Sequence, residues 1–458
     1  MLEGLKMNKL SLAEVAQITG AEKNSDAEIF FEGVTTDSRK LNNGVLFVAL
    51  KGENFNGEDF AETSLKKGAA AVLVSKNFNK NLDGVILKVE DTLTAYRQIA
   101  GAWRNRFDIP IVAVTGSNGK TTTKDLTAAA LNGLGHVLKT SGNFNNEVGV
   151  PMTLLNLNEK NCAAVVEIGM RGLGQIESLA EVVKPTIGIV TNVSEAHIEL
   201  LGSIENIAKA KGELVEAIPS GGTVILNADD KNVAAMKNLA KPNVKILTYG
   251  IENAADFTAE NIIIGEVSTD FSVKHGAESF DFEIPVIGRH NVLNALAAIA
   301  AGFSLGLSLE KIQLGFSTLA TTKMRFEVIR RDGMTIINDA YNASPASMRA
   351  AIQTVAEIYD GRKIAVLGDM LELGEISERV HREVGAEVAE NNFDTLIAYG
   401  ELGKFIAAGA KDSGLENIFT TSTHEEAAKK ILSIAKDGDI ILFKASHGMH
   451  MEKIIELI

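Results

Sequence analysis

Residues 114–123, VTGSNGKTTT, combine two glycines, a lysine and hydroxyl side chains in the order of a phosphate-binding loop. Lys120 can neutralise phosphate oxygens, and the Thr121 hydroxyl can bind Mg²⁺. The general pattern G-x-x-x-x-G-K-[ST] places a glycine where this chain has Val114. The loop therefore predicts phosphate binding, and an ordinary strand-to-helix turn is the alternative.

Further candidate groups follow the apolar strands predicted downstream of this loop. Glu167 ends the run CAAVVE, and His197 follows the run TIGIVTNV. Because the carboxyl ends of parallel strands share one edge of a sheet, Thr121 and Glu167 are candidate Mg²⁺ ligands and His197 can reach the same edge. A lone histidine after a strand can also be purely structural.

Amide side chains cluster in two places. Residues 142–151, GNFNNEVGVP, carry Asn143, Asn145 and Asn146, which suit either a turn-rich loop or a substrate-facing one. Asn291 and Asn294 in GRHNVLNA share one helical face. Buried there, they could read the edge of adenine, whereas capping of a helix by Asn291 is the simpler alternative.

The elements that must position these groups form three α/β series. Short strand-like runs (GVLFVAL, AAAVLV, GVILKV) precede a boundary near Pro110, and buried strands then alternate with helical segments. We predict an α/β protein of three domains: a small α/β N-terminal domain at 1–107, a central parallel-sheet domain of the P-loop ATPase kind at 108–321, and a Rossmann-like domain at 322–458.

Composition excludes several classes of function. The formal net charge of −14 argues against nonspecific binding to nucleic acid or to anionic membranes. Cys162 is the only cysteine, which excludes an intramolecular disulfide and suits the cytoplasm. No apolar run is long enough to span a bilayer, so we expect no membrane insertion.

The motifs, taken in order, resemble the Mur ligase family of ATP-dependent amide-bond-forming enzymes of peptidoglycan precursor synthesis. They are TGSNGKTT, GNFNNEVGVP, EIGM, TNVSEAH, AKAKGE, GRHNVLNA, MRFE and DAYNASP, and they span nearly the whole chain. The family's loop lacks the early glycine, so Val114 is normal for it. DAYNASP and VLGDMLELG resemble the type that joins D-alanyl-D-alanine to UDP-N-acetylmuramoyl-tripeptide.

The resemblance implies an ATP site, two Mg²⁺ ions and a substrate site. Glu167 and His197 would surround the metal ions, and a carbamylated Lys211 would support the second ion. Lys209 is a rival that the spacing from His197 disfavours, and a solvated helical lysine is the alternative. The implied nucleotide contacts are Gly116, Ser117, Asn118, Gly119, Lys120, Thr121, Thr122, Asn291, Asn294, Arg325, Asp339, Tyr341 and Asn342.

At the substrate end, Ser38 and Arg39 resemble the segment that binds the UDP group. The chain departs from the family at two positions: Glu58 stands where histidine is usual, and His447 stands where arginine is usual. His447 and His450 could also suggest a metal pair. A monomer is expected by family precedent.

Rival interpretations remain open. They are a sister ligase of the MurE or folylpolyglutamate synthetase kind, a nucleotide-switched binding protein and a noncatalytic partner of a cell-wall complex. The sequence does not decide between lysine and diaminopimelate in the tripeptide, and it identifies no general base.

Overall fold

The computed structural model describes residues 9–52, 55–196, 198–319 and 324–458. They form two compact units, each drawn from several chain segments. The first unit takes the described residues of Met1–Ala113, Gly135–Gly169 and Glu177–Pro185, and the second takes those of Val114–Leu134, Met170–Ile176 and Thr186–Ile458.

The strands are, in chain order, β1 (Leu10–Ser11), β2 (Glu22–Lys23), β3 (Phe30–Phe31), β4 (Val34–Thr35), β5 (Leu46–Val48), β6 (Ala71–Ser75), β7 (Ile86–Val89), β8 (Ile111–Thr115), β9 (His136–Lys139), β10 (Asn161–Glu167), β11 (Ile187–Val190), β12 (Thr223–Asn227), β13 (Lys245–Gly250), β14 (Phe257–Ile264), β15 (Thr269–His275), β16 (Glu278–Ile284), β17 (Glu327–Arg331), β18 (Met334–Asn338), β19 (Lys363–Gly368), β20 (Thr395–Tyr399), β21 (Ile418–Thr421) and β22 (Ile440–Lys444).

The α-helices are α1 (Leu12–Thr19), α2 (Ala61–Lys66), α3 (Thr92–Arg104), α4 (Lys120–Ala130), α5 (Gly149–Leu154), α6 (Gln175–Val183), α7 (Ile198–Leu201), α8 (Ile204–Ala217), α9 (Lys231–Ala235), α10 (Arg289–Ser304), α11 (Leu309–Phe316), α12 (Pro345–Ile358), α13 (Ser377–Glu390), α14 (Gly403–Asp412), α15 (His424–Ile434) and α16 (Glu452–Glu456). Short 3₁₀ helices span Gly57–Phe60, Leu131–Leu134, Met236–Leu239, Gly374–Ile376 and His447–Met449.

The first unit contains a five-stranded sheet in the order β2-β7-β6-β5-β4. Its strands β4 to β7 pair in parallel, and β2 is antiparallel to β7. Separate apolar clusters cover its two faces, one centred on Tyr96 and Ile99 of α3 and the other on Ala61 and Phe78. Strands β9 and β10 form a further parallel pair in this unit. The predicted N-terminal α/β texture is confirmed.

One sheet of the second unit contains a run of six neighbouring strands, in the order β16-β15-β14-β13-β12-β11. Strands β11 to β14 pair in parallel, as the sequence predicts. Strands β14, β15 and β16 are antiparallel, which the sequence analysis did not predict. Apolar and polar residues alternate along them (Phe271 and Val273 are buried, Ser272 less so), and Gly276, with φ of 60°, turns the last hairpin.

The C-terminal part of the second unit forms a six-stranded sheet in the order β17-β18-β22-β19-β20-β21. All of its strands are parallel except β17, which pairs antiparallel with β18. Residues of α12, α13 and α14 pack on one face, and residues of α15 and α16 pack on the other. This doubly wound arrangement confirms the Rossmann-like prediction and brings the carboxyl ends of β18, β22 and β19 together.

None of the described helices is long and apolar enough to cross a membrane. The predicted boundaries after residues 107 and 321 stay predictions.

Candidate active site

The phosphate loop joins the buried strand β8 to helix α4 within two sharp glycine turns. Gly116 has φ of 150° and Gly119 has φ of 77°. A Cβ atom at Gly116 would collide with the Thr191 hydroxyl, and one at Gly119 would lie 2.5 Å from Asn294 Oδ1. Helix α4 begins at Lys120, directly after Gly119, and has no side-chain cap hydrogen bond. Its N-terminus, which is the positive end of the helix dipole, therefore lies at the loop.

Lys120 is the first residue of α4 and folds back over the loop. Its ammonium donates to the Gly116 carbonyl at 2.8 Å and to the Ser117 carbonyl at 3.0 Å. The side chain therefore places a positive charge on the loop, where a phosphate would need it.

The side chains of Ser117 and Asn118 are bonded within the protein. The Ser117 hydroxyl accepts from the Ser194 N–H at 2.9 Å and donates to its carbonyl at 3.2 Å. The Asn118 N–H donates to Asn192 Oδ1 at 2.9 Å. Their predicted nucleotide contacts stay predictions, and the residues that hold them, Asn192 and Ser194, were missed from sequence although both lie in the predicted motif TNVSEAH.

Arg325 reaches the loop from the C-terminal part of the second unit. Its Nη2 donates to Thr121 Oγ1 at 2.9 Å, and its Cζ lies 4.1 Å from the centre of the Tyr341 ring. The Arg325 Nε is buried and has no hydrogen-bond partner in the described part of the chain. The structure thus brings together Lys120, Thr121, Arg325 and Tyr341, and their predicted contacts with a nucleotide stay predictions.

Asp339, at the end of β18, is held by a lysine that the sequence analysis missed. Lys444 is 3% exposed, and its Nζ lies 2.5 Å from Asp339 Oδ2. The same Nζ donates to the carbonyls of Asp339 and Asn342 at 3.2 and 3.1 Å. The available signal was its place at the end of the predicted strand DIILFKAS, which pairs beside β18.

Asn291 and Asn294 form a buried amide chain inside α10. Asn294 Oδ1 accepts from the Thr123 hydroxyl at 3.0 Å, and Asn294 Nδ2 donates to Asn291 Oδ1 at 2.9 Å. Asn291 Nδ2 donates in turn to the Ile287 carbonyl at 2.8 Å. Gly288, rather than Asn291, caps the helix. Contacts of these amides with adenine stay a prediction.

Lys211 and Lys209 on α8 differ in burial. Lys209 is exposed, whereas Lys211 is 2% exposed. Removal from water lowers the pKa of the Lys211 amine well below its ordinary value, and the positive charge of Lys120 lowers it further. Of the two lysines, Lys211 is therefore the one whose surroundings favour a neutral amine.

Glu167 lies in the first unit, at the end of β10, and is 1% exposed. Its Oε1 accepts from Asn145 Nδ2 at 2.7 Å, and its Oε2 has no hydrogen-bond partner among the described residues. Such a buried, half-satisfied carboxylate suits a hard cation. His197 lies outside the described residues.

The other asparagines of that loop serve its turns. Asn146 Oδ1 accepts from the Gly149 N–H at 2.9 Å, and the Asn143 carbonyl accepts from the Asn145 N–H at 2.7 Å. Within the described ranges, no group of three or more His, Cys, Asp or Glu side chains could hold a metal.

At the predicted UDP end, Arg39 forms a bidentate pair with Asp37 at 2.9 and 3.0 Å. This pairing lowers the pKa of Asp37 to about 2. Ser38 contributes its carbonyl to Lys67 Nζ at 3.3 Å. Glu58, the departure from the family pattern, turns inward and accepts from the Ser75 N–H at 2.8 Å.

The two C-terminal histidines are separate features. His447 lies 5.7 Å from Tyr341 between ring centres and 6.1 Å from His450. His450 is 3.2 Å from Glu452 Oε1. The proximity of His447 to Tyr341 associates it with the predicted nucleotide end.

Family models match three successive segments of the chain. They are "Mur ligase family, catalytic domain" at residues 31–104, "Mur ligase middle domain" at 114–302 and "Mur ligase, glutamate ligase domain" at 324–447. The chain belongs to the Mur ligase family. The resemblance of the ordered motifs is thereby confirmed.

Two relatives match this Mur ligase over its length. One from Bacillus subtilis (strain 168) is 40% identical over 456 residues, which cover 99% of this chain and 98% of the relative. One from Escherichia coli (strain K12) is 36% identical over 452 residues, which cover 98% of each. Both are named UDP-N-acetylmuramoyl-tripeptide--D-alanyl-D-alanine ligase.

Solved structures of similar proteins support the same family assignment. MurF from Acinetobacter baumannii has a TM-score of 0.89 at 31% identity, and the match covers 98% of this chain and 99% of that one. MurF ligase from Thermotoga maritima, solved in complex with ADP, has a TM-score of 0.83 at 28% identity and covers 93% and 96%. The predicted three-domain α/β architecture of a MurF-type Mur ligase is confirmed.

Proposed function

We propose that this Mur ligase uses ATP to join D-alanyl-D-alanine to UDP-N-acetylmuramoyl-tripeptide. The observation that carries the proposal is the full-length similarity to relatives with this activity in their names, at up to 40% identity over 99% of the chain. The meeting of Lys120, Thr121 and Arg325 at one phosphate loop supports it.

The proposed nucleotide site extends from the phosphate loop to the end of β18. The ADP-bound relative supports nucleotide use. Lys120 and Arg325 would bind the phosphates, and Asp339, held by Lys444, would face the ribose. Tyr341 and Asn342 would lie beside the adenine, together with the amides of Asn291 and Asn294.

The reaction proceeds through an acyl phosphate. The terminal carboxylate of the tripeptide attacks the γ-phosphorus of ATP, and ADP leaves. The amine of D-alanyl-D-alanine then attacks the acyl carbon, phosphate leaves, and the amine gives up its proton as the amide forms. Lys120 and Arg325 offset the negative charge that gathers between carboxylate and phosphate, and this electrostatic positioning is their main contribution.

Magnesium would reduce the repulsion between the reacting anions, and the resemblance of the motifs assigns it to the Thr121 hydroxyl, the Glu167 carboxylate and the His197 side chain. The unpartnered Oε2 of Glu167 supports this assignment, since a buried carboxylate oxygen needs a partner. Thr121 Oγ1 accepts a hydrogen bond from Arg325 and keeps a second lone pair that could bind a metal ion.

Carbamylation of Lys211 is part of the proposal. The neutral amine adds to CO₂ and loses one proton, which yields a carboxylate-like group for a second Mg²⁺ ion. Only an unprotonated amine can do this, and the burial of Lys211 favours that form.

The substrate end is proposed to use Ser38 and Arg39 for the UDP group and the loop of Asn143, Asn145 and Asn146 for the muramoyl-peptide. Arg39 would exchange Asp37 for a diphosphate. We place the enzyme in the cytoplasm, which its single cysteine suits, and take it as a monomer by family precedent.

The deciding experiment measures phosphate release from ATP with UDP-N-acetylmuramoyl-tripeptide, adding D-alanyl-D-alanine, D-alanine or a diamino acid in turn. The proposal expects release only with the dipeptide. Release with a diamino acid would indicate a sister ligase, and release that needs neither co-substrate would indicate a nucleotide switch. Running lysine- and diaminopimelate-containing tripeptides in parallel assigns the third residue.

A further inference from the structure

Asn118 lies in the middle of the phosphate loop, yet its polar groups are bonded to the protein. Its N–H donates to Asn192 Oδ1, and its Nδ2 donates to Ser194 Oγ, both at 2.9 Å. Its carbonyl accepts from the Thr191 hydroxyl at 2.6 Å. These bonds fix the loop against the segment that follows β11.

The remaining group of the side chain, Asn118 Oδ1, accepts from Ser344 Oγ at 2.8 Å. Ser344 is 5% exposed and caps helix α12. Its hydroxyl accepts from the Ser347 N–H at 3.3 Å, and its own N–H donates to Ser347 Oγ at 2.9 Å. The Ser344 hydroxyl therefore serves both partners: its oxygen accepts from its own helix, and its one hydrogen is donated to the loop.

We propose that Ser344 and Asn118 are a pair of positioning residues that couples the N-terminus of α12 to the shape of the phosphate loop. In the structure, the Asn118 side chain bonds both neighbours: Oδ1 accepts from the Ser344 hydroxyl, and Nδ2 donates to Ser194 Oγ. Without the Ser344 hydroxyl, the Asn118 amide keeps its bond to Ser194 and loses its bond to helix α12.

The pair acts through the backbone of the loop and not through contact with substrate. Helix α12 follows directly on the segment that carries Asp339, Tyr341 and Asn342, so seating its N-terminus also seats that segment. The consequence for nucleotide binding rests on the proposed function, whereas the effect on the free loop does not.

The test compares Ser344→Ala with Ser344→Thr, which keeps the hydroxyl, and with Ser347→Ala, which disturbs the same helix cap without touching Asn118. Hydrogen exchange of residues 114–126 is measured in the nucleotide-free protein, and affinity for ADP with Mg²⁺ is measured by calorimetry. Ser344→Ala should speed exchange and weaken ADP binding about fivefold, the net value of one hydrogen bond. The other two variants should resemble the wild type.

A double-variant cycle with Asn118→Ala separates coupling from general damage. If the pair acts through one hydrogen bond, Ser344→Ala has no further effect once Asn118 is alanine. Equal effects in both backgrounds, or equal effects of Ser344→Ala and Ser347→Ala, would overturn the proposal. Failure of the wild type to bind ADP would refute the proposed function instead, and the exchange data would still decide the pair.

Discussion

Lys120 at the phosphate loop and Lys211 in the middle of helix α8 lie in opposite surroundings. The Lys120 ammonium donates to two backbone carbonyls, at 2.8 and 3.0 Å. Lys211, by contrast, is only 2% exposed. Burial and the charge of Lys120 both lower its pKa.

The difference separates two kinds of chemistry for one residue type. Carbonyl dipoles stabilise an ammonium, so Lys120 is suited to carry positive charge towards phosphates. Desolvation disfavours the charged form, so Lys211 is suited to act as a neutral amine that can be modified. Substitution of each lysine tests the role that its surroundings indicate.

The largest effect is expected for Lys120→Ala, because a charge that stabilises the transition state is lost. Turnover, followed by phosphate release with both co-substrates, should fall by at least about 10². Lys209→Ala is the matched control, since Lys209 is exposed on α8, and it should keep wild-type turnover. Near-normal turnover of Lys120→Ala would remove Lys120 from the mechanism.

Lys211→Ala should lower turnover about tenfold to hundredfold, in the range seen when the support of a metal site is lost. Acetate or formate should restore part of it, because a small carboxylate can occupy the space of the carbamate. The same acids should leave Lys120→Ala inactive, which makes the two lysines controls for each other. Isotopically labelled bicarbonate should label the wild type and not Lys211→Ala; an unlabelled, active wild type would contradict the carbamate.

The sequence predicted the local elements well because each depends on neighbouring residues. The runs IVAVT and KIAVLGD contain β8 and β19, the run CAAVVEIG covers all of β10 but its first residue, and the glycine spacing located the start of α4. The antiparallel strands β14 to β16 were missed because the parallel rhythm before them was extended over an alternating pattern.

The site was predicted less completely because its contacts join distant parts of the chain. Ser344 bonds Asn118 across 226 positions, and Lys444 bonds Asp339 across 105. No local spacing encodes such pairs. Burial likewise distinguished Lys211 from Lys209 in the structure, whereas the sequence alone could separate them only by their distance from His197.

Arg325→Lys extends the comparison to a third lysine environment. A lysine there keeps the charge but loses the planar group that lies over the Tyr341 ring and bonds Thr121. The KM for ATP should rise about tenfold, in keeping with one stacked cation and one hydrogen bond, and kcat should fall less. Equal kinetics for lysine and arginine would show that only charge matters at this position.

The smallest expected effect concerns His381 on α13, a second buried base whose pKa, like that of Lys211, is lowered by burial. Its Nε2 accepts from the Met370 N–H at 3.0 Å, and its Nδ1 donates to the Ser377 carbonyl at 2.6 Å. Burial lowers its pKa, although the hydrogen bond to the Ser377 carbonyl and the nearby Asp369 oppose the shift. Protonation would place a second donor against the Met370 N–H.

Because the folded state disfavours the charged ring, the stabilising effect of His381 is complete above the unfolded pKa, near 6.5, and is lost as the pH falls below it. The free energy of unfolding of His381→Ala should therefore lie furthest below the wild type near pH 8 and approach it in acid. The gap should close by no more than about 1.4 kcal/mol per pH unit, the limit for one proton.

Val384→Ala, on the same helix and fully buried, removes packing without a titrating group and should lose the same amount of stability at every pH. Denaturant titrations of the three proteins between pH 5 and 8 (a range that spans the ring's unfolded pKa of about 6.5) decide the matter. Parallel curves for His381→Ala and wild type would mean that the folded state does not disfavour the charged ring, and the likeness drawn between the two buried bases, His381 and Lys211, would then no longer stand.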